Sequence, residues 1–273
     1  MGMIIGGVVL AIIGGILWLV MGKKAGKLGV LENTETSSTK EVHENFTSMS
    51  DSFGAGNFSL FTELKGVAVA STPLEAELSK KECVYYKSKV TREYEEQQKS
   101  KDSDGNVTKK WVRKSEIVSS NENTATGFAI KDDSGEVLVD LTGAEIYPIK
   151  SFSDFEKVNE NNAGGTKVSI GGFSLTTGGG NPTIRTIGYK YEEQSIPLNS
   201  KIYILGDAND RSGKLTVSKS KDKKVPFIVS TKSEDELTAS LGSSVKGFKY
   251  GAFTCFGLGG VIVVWGIIKL ILG

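Results

Sequence analysis

The two ends of the chain are apolar, and this feature constrains the fold more than any other. Residues 250–268 form a run of 19 residues without a charged side chain, and residues 1–22 contain none either. A helix of about 20 apolar residues spans the hydrocarbon core of a bilayer. The sequence therefore predicts one transmembrane helix over residues 1–22, a second over residues 250–272, and one soluble domain between them.

The first apolar stretch has a second interpretation, a cleaved signal peptide. Signal peptides normally open with a basic region and end in a small-residue cleavage site. In this chain no charged side chain precedes the apolar run, whereas Lys23 and Lys24 follow it. We therefore expect an uncleaved membrane anchor.

Small residues recur at every fourth position in both stretches. Residues four apart lie on the same side of a helix, where small side chains allow another backbone to approach closely. Glycine is frequent in membrane helices in any case, but the matching stripes favour packing of the two helices on each other. The candidate helix-packing positions are Gly7, Ala11, Gly15, Gly251, Cys255 and Gly259.

The distribution of lysines indicates the orientation in the membrane. Lysines flank the inner ends of both stretches, whereas the outer ends carry only the α-amine and Lys269. Cytoplasmic segments beside transmembrane helices carry an excess of Lys and Arg. We therefore expect an integral membrane protein with a cytoplasmic central domain, in the cell membrane if the source is prokaryotic. The inner lysines are Lys23, Lys24, Lys27, Lys246 and Lys249.

Composition narrows the classes of function. A formal net charge of +1 is unlike the basic surplus of nucleic-acid-binding proteins. Two cysteines and one histidine cannot supply the four ligands of a structural zinc site. Because Cys255 lies in the second apolar stretch, Cys83 has no expected disulfide partner and is predicted to be a small buried side chain. His43 is predicted to be solvated.

Two turns imitate ligand-binding motifs without completing them. Residues 102–106 begin like a calcium loop, and Gly213-Lys214 resembles the end of a phosphate-binding loop, but the remaining motif positions do not match. Because the single histidine, His43, lies in the predicted tether, Ser-His or Cys-His catalysis would have no general base. The sequence thus favours a protein without catalytic, cofactor-binding or metal-binding residues over an enzyme.

The central part divides into a polar segment, residues 23–62, and a β-rich segment, residues 63–232. We expect the polar segment to be a tether with one short amphipathic helix over Val42–Met49. In the β-rich segment, apolar runs return every 10–20 residues without regular alternation of strands and helices. This pattern predicts a mainly antiparallel β (α+β) domain, shaped as a small barrel or a sandwich.

Turn signals divide this domain into hairpins. Asp104-Gly105 predicts the turn of a long hairpin with a charged tip, and residues 132–135 predict that of a second hairpin. A short helix is expected over Phe152–Asn161. The glycine-rich residues 163–181 are expected to form a flexible surface loop or a partner-binding flap.

A capping box marks the start of the last helix. The Ser233 hydroxyl can accept a hydrogen bond from a backbone amide in the first helical turn, and the Glu236 carboxylate can accept one from the Ser233 amide. We therefore expect a juxtamembrane helix over residues 233–249 that continues into the second span.

Several short motifs carry a family resemblance. They are Cys83-Val-Tyr-Tyr86, Trp111, Gly127-Phe-Ala-Ile-Lys-Asp-Asp-Ser-Gly135 with Val139-Asp140 and Ala144, Tyr191-Glu-Glu-Gln-Ser-Ile196 and Tyr203-Ile-Leu-Gly206. With the flanking spans they resemble the GIDE-type, or beside-a-membrane, domain of the mitochondrial and chloroplast outer-membrane E3 ubiquitin ligases. Those ligases continue after the second span into a RING finger. The given sequence ends at Gly273 with too few zinc ligands, so the resemblance implies a RING-less, prokaryotic-type relative without ligase activity of its own.

Three hypotheses for the function follow. The first is a non-catalytic, membrane-anchored interaction or scaffold protein that binds the bilayer and a protein partner or a second copy of itself. Its charged hairpin tip, residues 92–110, or the glycine-rich loop would contact the partner. The second is a component of a ubiquitin-ligase-like or other membrane enzyme complex whose catalytic part is on another chain. The third is an oligomeric envelope or pore assembly.

Overall fold

The computed structural model describes residues 2–54, 56–101, 106–158, 166–170, 173–177 and 183–272. The chain divides into two compact units. The helical unit comprises residues 1–36, 220–226 and 232–273, and the β unit comprises residues 37–219 and 227–231. The helices are α1 (Gly2–Asn33), α2 (Thr39–Phe53) and α3 (Glu234–Leu272). The strands are β1 (Thr36–Ser37), β2 (Ser59–Val69), β3 (Leu74–Glu75), β4 (Glu82–Lys101), β5 (Val107–Thr124), β6 (Ala129–Asp132), β7 (Gly135–Val139), β8 (Glu145–Tyr147), β9 (Ile149–Lys157), β10 (Thr166–Ile170), β11 (Phe173–Thr177), β12 (Ile184–Pro197), β13 (Lys201–Asn209), β14 (Thr216–Ser218) and β15 (Ile228–Ser230).

The helical unit consists mainly of α1 and α3, which are long and apolar enough to cross a membrane. At 1.5 Å per residue, the 32 residues of α1 extend about 48 Å and the 39 residues of α3 about 58 Å. Both lengths exceed the roughly 30 Å of a hydrocarbon core. Two apolar helices therefore flank the β unit in sequence, and the predicted class of membrane protein is confirmed.

The capping box at the start of α3 forms as predicted. The backbone amide of Glu236 donates to the Ser233 hydroxyl at 3.2 Å, and the Ser233 amide donates to the Glu236 carboxylate at 3.0 Å. These bonds satisfy two amides that the first helical turn leaves without intrahelical partners. From there α3 continues without interruption to Leu272.

Five strands of the β unit close into a small barrel. β2 pairs with β6, β6 with β7, β7 with β14 and β14 with β13, and β13 pairs back with β2. Among these five pairs, only β7 and β14 run parallel. A closed ring of this size resembles the five-stranded barrels of the OB type. Beyond the ring, β15 and β8 extend the sheet from β13, and β1 lies beside β2.

The alternation of side chains along these strands fills the barrel with the main apolar core. In β7, for example, Val137 and Val139 are buried whereas Glu136 is exposed. Leu64 and Ile204, which face each other across β2 and β13, are also part of the core. The predicted mainly antiparallel β (α+β) domain with a small barrel is therefore confirmed.

A second sheet contains the long hairpin that the sequence predicted. β4 and β5, of 20 and 18 residues, pair from Tyr85 opposite Thr124 to Lys101 opposite Val107, and β12 and β9 continue the sheet beyond β4. The predicted turn Asp104-Gly105 lies outside the described residues. Opposite charges face each other across the strands. The ion pairs are Lys87–Glu122, Arg92–Glu116, Arg113–Glu93, Lys114–Glu96, Arg185–Glu95 and Lys89–Glu192.

A buried carboxylate, that of Glu193, connects several segments of this sheet. Glu193 is fully buried, and its oxygens accept from the Leu78 amide at 2.6 Å, the Ser79 amide at 3.3 Å and the Ser151 hydroxyl at 2.9 Å. These bonds tie the loop before β4 to β9 and β12. Burial, together with the nearby charge of Glu193, raises the pKa of the Cys83 thiol to about 11. The prediction of Cys83 as a small buried side chain is confirmed.

The segment predicted as a polar tether, residues 23–62, is largely helix and strand. α1 continues beyond the apolar stretch to Asn33, and α2 extends the helix predicted over Val42–Met49 in both directions. The Thr39 amide and hydroxyl at the start of α2 donate to the Asp132 carboxylate at 2.7 and 2.6 Å. Hydrogen bonds to the turn between β6 and β7 thus hold the start of α2 in place within the β unit. His43 is exposed on this helix, as predicted.

The prediction of a short helix over Phe152–Asn161 is wrong. Residues 149–157 form β9, which pairs antiparallel with β12 from Gly188 to Ser195. The open edge of β12 supplies hydrogen bonds that the local sequence pattern does not reveal, and such pairing overrides a weak helix signal. Within the glycine-rich residues 163–181, β10 and β11 pair with each other; the other residues of that loop lie outside the described ones.

Candidate functional site

A cavity of about 590 Å³ opens in the β unit where the root of the long hairpin meets the barrel. Its lining residues come from β4, β5, the segment leading into β6, the end of β7, the turn after β7, β8 and the first residue of β14. Its walls mix apolar side chains with hydroxyls and two carboxylates. The lining residues are Tyr85, Glu122, Thr124, Ala125, Gly127, Phe128, Leu138, Val139, Asp140, Leu141, Thr142, Gly143, Ile146 and Thr216.

The hairpin root supplies the first carboxylate. Tyr85 pairs with Thr124 and Lys87 with Glu122, so these side chains lie on one face of the two strands. The Tyr85 hydroxyl donates to Glu122 Oε1 at 2.8 Å, and Lys87 Nζ donates to Glu122 Oε2 at 2.7 Å. Each carboxylate oxygen of Glu122 therefore accepts one hydrogen bond, and these two bonds fix the orientation of the side chain toward the cavity.

These contacts also set the protonation states. The hydrogen bond from Lys87, followed by that from Tyr85, holds the pKa of Glu122 below its usual value. Burial, reinforced by the hydrogen bond to Glu122, raises the pKa of the Tyr85 hydroxyl well above its usual value. At neutral pH the site therefore presents a carboxylate and a neutral phenol.

The turn after β7 supplies the second carboxylate. Asp140 Oδ1 accepts from the Thr142 amide at 2.9 Å and from the Thr142 hydroxyl at 2.7 Å, which is the geometry of an Asx turn. Gly143 follows at φ +76°, where a side chain would be strained and would meet the Lys219 side chain. Of the residues that the structure describes, only Thr142 donates to the Asp140 carboxylate.

Part of the wall between the carboxylates is apolar. Phe128 is buried in the main core, and Leu138, Leu141 and Ile146 line the cavity beside it. A concave site of this size that combines apolar side chains with fixed polar groups is a candidate binding site. Within the described part of the chain, no group of three or more His, Cys, Asp or Glu residues is arranged to hold a metal ion.

The predicted helix-packing positions are only partly brought together. A Cβ atom built on Gly7 would lie 2.8 Å from the Gly259 carbonyl oxygen, and one on Gly259 would lie 2.9 Å from the Gly7 oxygen. Ala11 is next to this crossing, with its amide nitrogen 3.4 Å from the Cβ position of Gly259. Gly15 has nothing within 4 Å, and Gly251 only approaches Leu17 at 3.5 Å. Cys255 is half-buried.

The close contacts between α1 and α3 instead recur every seven residues. Gly7 and Gly14 are buried on α1, and Ala252, Gly259 and Gly266 are buried on α3. A Cβ atom on Gly14 would meet Phe256 at 2.9 Å, and one on Gly266 would meet Ile4 at 2.9 Å. A seven-residue repeat keeps one seam facing the partner helix. The sequence-based prediction followed a spacing of four, which a glycine-rich helix can satisfy by composition alone. It therefore did not include Gly14, Ala252 and Gly266.

The cavity residues were missed as well. Tyr85 and Asp140 lie in motifs on which the resemblance rests but were not predicted as site residues. Glu122 stands among Ser, Asn and Thr residues that are typical of an ordinary strand surface. Only the pairing of β4 with β5 and the closure of the barrel bring them to one place.

The fold defines a membrane protein in which two apolar helices flank an α+β domain built on a small barrel. A family model described as "GIDE: E3 Ubiquitin ligase" matches residues 95–264, which is 170 of the 273 residues. The chain belongs to the GIDE family, and it is an E3-ligase-related membrane protein in that sense. Comparisons with curated proteins and with solved structures gave no match.

The family match covers most of the candidate site. It begins in β4 and ends in α3, and it includes the cavity residues from Glu122 to Thr216. Tyr85 and Lys87, which orient Glu122, precede it.

Proposed function

We propose that this chain is a membrane-anchored binding protein whose β unit receives a basic side chain of a partner protein in the cavity. The observation that carries the proposal is the pair of fixed carboxylates, Glu122 and Asp140, in a cavity of mixed apolar and hydroxyl-bearing walls within the family-matched region. A lysine or arginine side chain has an aliphatic stem for the apolar walls and a charged end group for the carboxylates. The role is that of an interaction module or scaffold, with chemistry, if any, contributed by the partner.

Asp140 is the carboxylate that best fits an arriving cation. Glu122 already has Lys87 as an ionic partner, whereas the described residues give Asp140 only the amide and hydroxyl of Thr142. Arginine suits such a site because its planar end group can donate two parallel hydrogen bonds to one carboxylate.

Peptide binding to the full-length protein in detergent tests this proposal. The probes are fluorescent peptides with one central Arg between apolar residues and matched peptides with Gln at that position, followed by anisotropy. We expect selective binding of the Arg peptides. Asp140→Asn is expected to weaken it at least about fivefold, because a cation–carboxylate pair at a partly exposed site contributes on the order of 1 kcal/mol. The asparagine can still accept from Thr142, so the turn is retained.

A matched control is available in the neighbouring hairpin turn. Asp133→Asn removes the same charge from an exposed residue that does not line the cavity. Glu122→Gln, which keeps an acceptor for Tyr85, should weaken binding less than Asp140→Asn. Equal binding of Arg and Gln peptides, or equal losses in the Asp133 and Asp140 variants, would overturn the proposal.

Family membership supports a second candidate. Because the matched model is described as an E3 ubiquitin ligase, the chain can serve as the membrane-bound, partner-recruiting component of a ligase-like assembly with its catalytic part on another chain. Native purification with and without Asp140→Asn distinguishes the two. A ligase-like subunit retained by both proteins would indicate an assembly that does not use the cavity.

A further inference from the structure

The inner ends of α1 and α3 lie at the same level of the helix pair. The Lys24 amine is 5.7 Å from the centroid of the Phe248 ring, and the rings of Trp18 and Phe253 meet edge-on at 5.8 Å. The lysines on either side, Lys23 on α1 and Lys246 on α3, therefore surround one end of the apolar pair.

In the part of the chain that the structure describes, three lysines at this end are without an ion-pair partner. Lys23, Lys246 and Lys249 are exposed, and none of them forms an ion pair within the described ranges of the chain. The helical unit also includes residues 220–226, a segment with three more exposed lysines, Lys221, Lys223 and Lys224.

The acidic residues of α1 and α3 lie farther along these helices, and Asp222 lies among the lysines of residues 220–226. Glu236, in the first turn of α3, is ten residues from Lys246, or about 15 Å along the axis. Glu32 is nine residues from Lys23, or about 13 Å. Both separations exceed the Debye length of about 8 Å at physiological ionic strength. The lysines at the helix ends therefore remain a net positive site.

Aromatic side chains mark the same level. Tyr250 is 70% exposed and Trp18 is 44% exposed, and both lie within a few residues of the lysines. Aromatic residues of this kind concentrate where a membrane meets water. The apolar sides of α1 and α3 beyond them remain exposed, with Ile16, Leu19 and Phe253 among them.

We propose that Lys23, Lys246 and Lys249 bind the phosphate groups of anionic phospholipids at the inner end of the helix pair. A phospholipid matches both parts of the site, since its phosphate faces the amines while its acyl chains contact the exposed apolar helices. An acidic peptide would satisfy the amines alone. Lipid binding at this end is independent of the cavity and of its partner.

Native mass spectrometry of the full-length protein in a neutral maltoside detergent tests the site. Bound lipid is counted during titration with phosphatidylglycerol or phosphatidylcholine. We expect retention of phosphatidylglycerol in preference to phosphatidylcholine. The triple variant Lys23→Gln, Lys246→Gln, Lys249→Gln should bind phosphatidylglycerol on the order of 100-fold more weakly at low salt, because each lysine near a lipid surface contributes about a fivefold effect. The difference should shrink as salt is added.

Two further variants keep the test decisive. Lys99→Gln, Lys109→Gln, Lys110→Gln removes three exposed lysines of the long hairpin and should leave lipid retention unchanged. Lys23→Arg, Lys246→Arg, Lys249→Arg keeps the charges and should retain the lipid. Equal retention of both lipids, an unchanged Gln variant at the helix ends, or an equal loss in the hairpin variant would each overturn the proposal. The same would follow if inorganic phosphate at equal concentration displaced the lipid.

Discussion

The middle of the long hairpin and the inner ends of α1 and α3 are both rich in charged side chains, but they use them differently. In the hairpin, cations and carboxylates alternate across β4, β5 and β12, so that Arg92 meets Glu116 and Arg185 meets Glu95. At the helix ends the exposed lysines have no such partners within the part of the chain that the structure describes. Paired charges keep an extended sheet hydrated without attracting a ligand. Unpaired charges beside an apolar surface remain able to attract a ligand of opposite charge.

The two units also differ in what brings their elements together. The β unit packs large side chains into a core, whereas α1 and α3 approach closely at glycines. A Cβ atom on Gly7 or Gly259 would meet the backbone of the other helix. The predictions below test each side of this contrast, beginning with the helices.

The largest effect is expected from Gly7→Leu. Its Cβ atom would lie 2.5 Å from Val263 Cγ2 and 2.8 Å from the Gly259 oxygen, so the helices must separate. Overpacking of this kind costs about 1–3 kcal/mol or more. Disulfide formation between Trp18→Cys and Phe253→Cys, in a Cys255→Ser background, should fall about tenfold. Gly15→Leu is the control, because nothing lies within 4 Å of that position. Equal crosslinking of the Gly7 and Gly15 variants would contradict a glycine-dependent contact.

An intermediate effect is expected from Asp132→Asn in the β unit. The carboxylate accepts from the Thr39 amide and hydroxyl and from the Ser134 amide, and these bonds outweigh burial and lower the pKa of Asp132 well below its usual range. Hydrogen bonds to a charged group contribute about 1.5–3 kcal/mol. Amide hydrogen exchange in α2 should therefore accelerate by an order of magnitude or more, with Asp133→Asn as control.

The pH dependence of α2 follows from the same carboxylate. Because the folded pKa is depressed, the stabilisation is fully present above the ordinary value near 3.9 and is lost as pH falls through the folded pKa. The difference in exchange between the native protein and Asp132→Asn should therefore begin to shrink below about pH 4 and vanish only as the pH approaches the depressed folded pKa. A difference that stays constant with pH would show that the charge of Asp132 does not hold the helix.

The smallest effect is expected from the ion pairs of the hairpin. Glu93 and Arg113 pair across β4 and β5, but the Arg113 side chain is 64% exposed. A double-mutant cycle with Glu93→Ala and Arg113→Ala should give a coupling of about 0.2–1 kcal/mol that declines with added salt. The measurement is the change in amide exchange along β4. A coupling above about 2 kcal/mol that is insensitive to salt would show that the pair holds the sheet together.

Elements with local signals could be predicted from the sequence. The two apolar helices, the capping box at Ser233 and both hairpins depend on residues close together in the chain. The barrel closure that pairs Leu64 with Ile204 was expected only as a class, since no local pattern shows which strands meet. β9 was predicted as a helix because the strand partner that stabilises it lies at residues 188–195.

The candidate site was beyond sequence reasoning for a related physical reason. Tyr85, Glu122, Asp140 and Thr216 come from four separate segments, and none is unusual in its local setting. In the helical unit, Gly7 and Gly259 could be found by spacing, whereas the seven-residue seam through Gly14 and Gly266 depends on how the two helices cross.

The helical unit is assembled from distant parts of the chain, and this has a consequence for its synthesis. Residues 34–233, 200 in all, are translated between the end of α1 and the start of α3. At roughly 5–20 residues per second, about 10–40 s pass before the partner of α1 begins to emerge. Throughout that interval the glycine face of α1 is open to lipid or to another protein. A membrane insertase or a neighbouring α1 from another copy therefore has time to occupy it before α3 arrives.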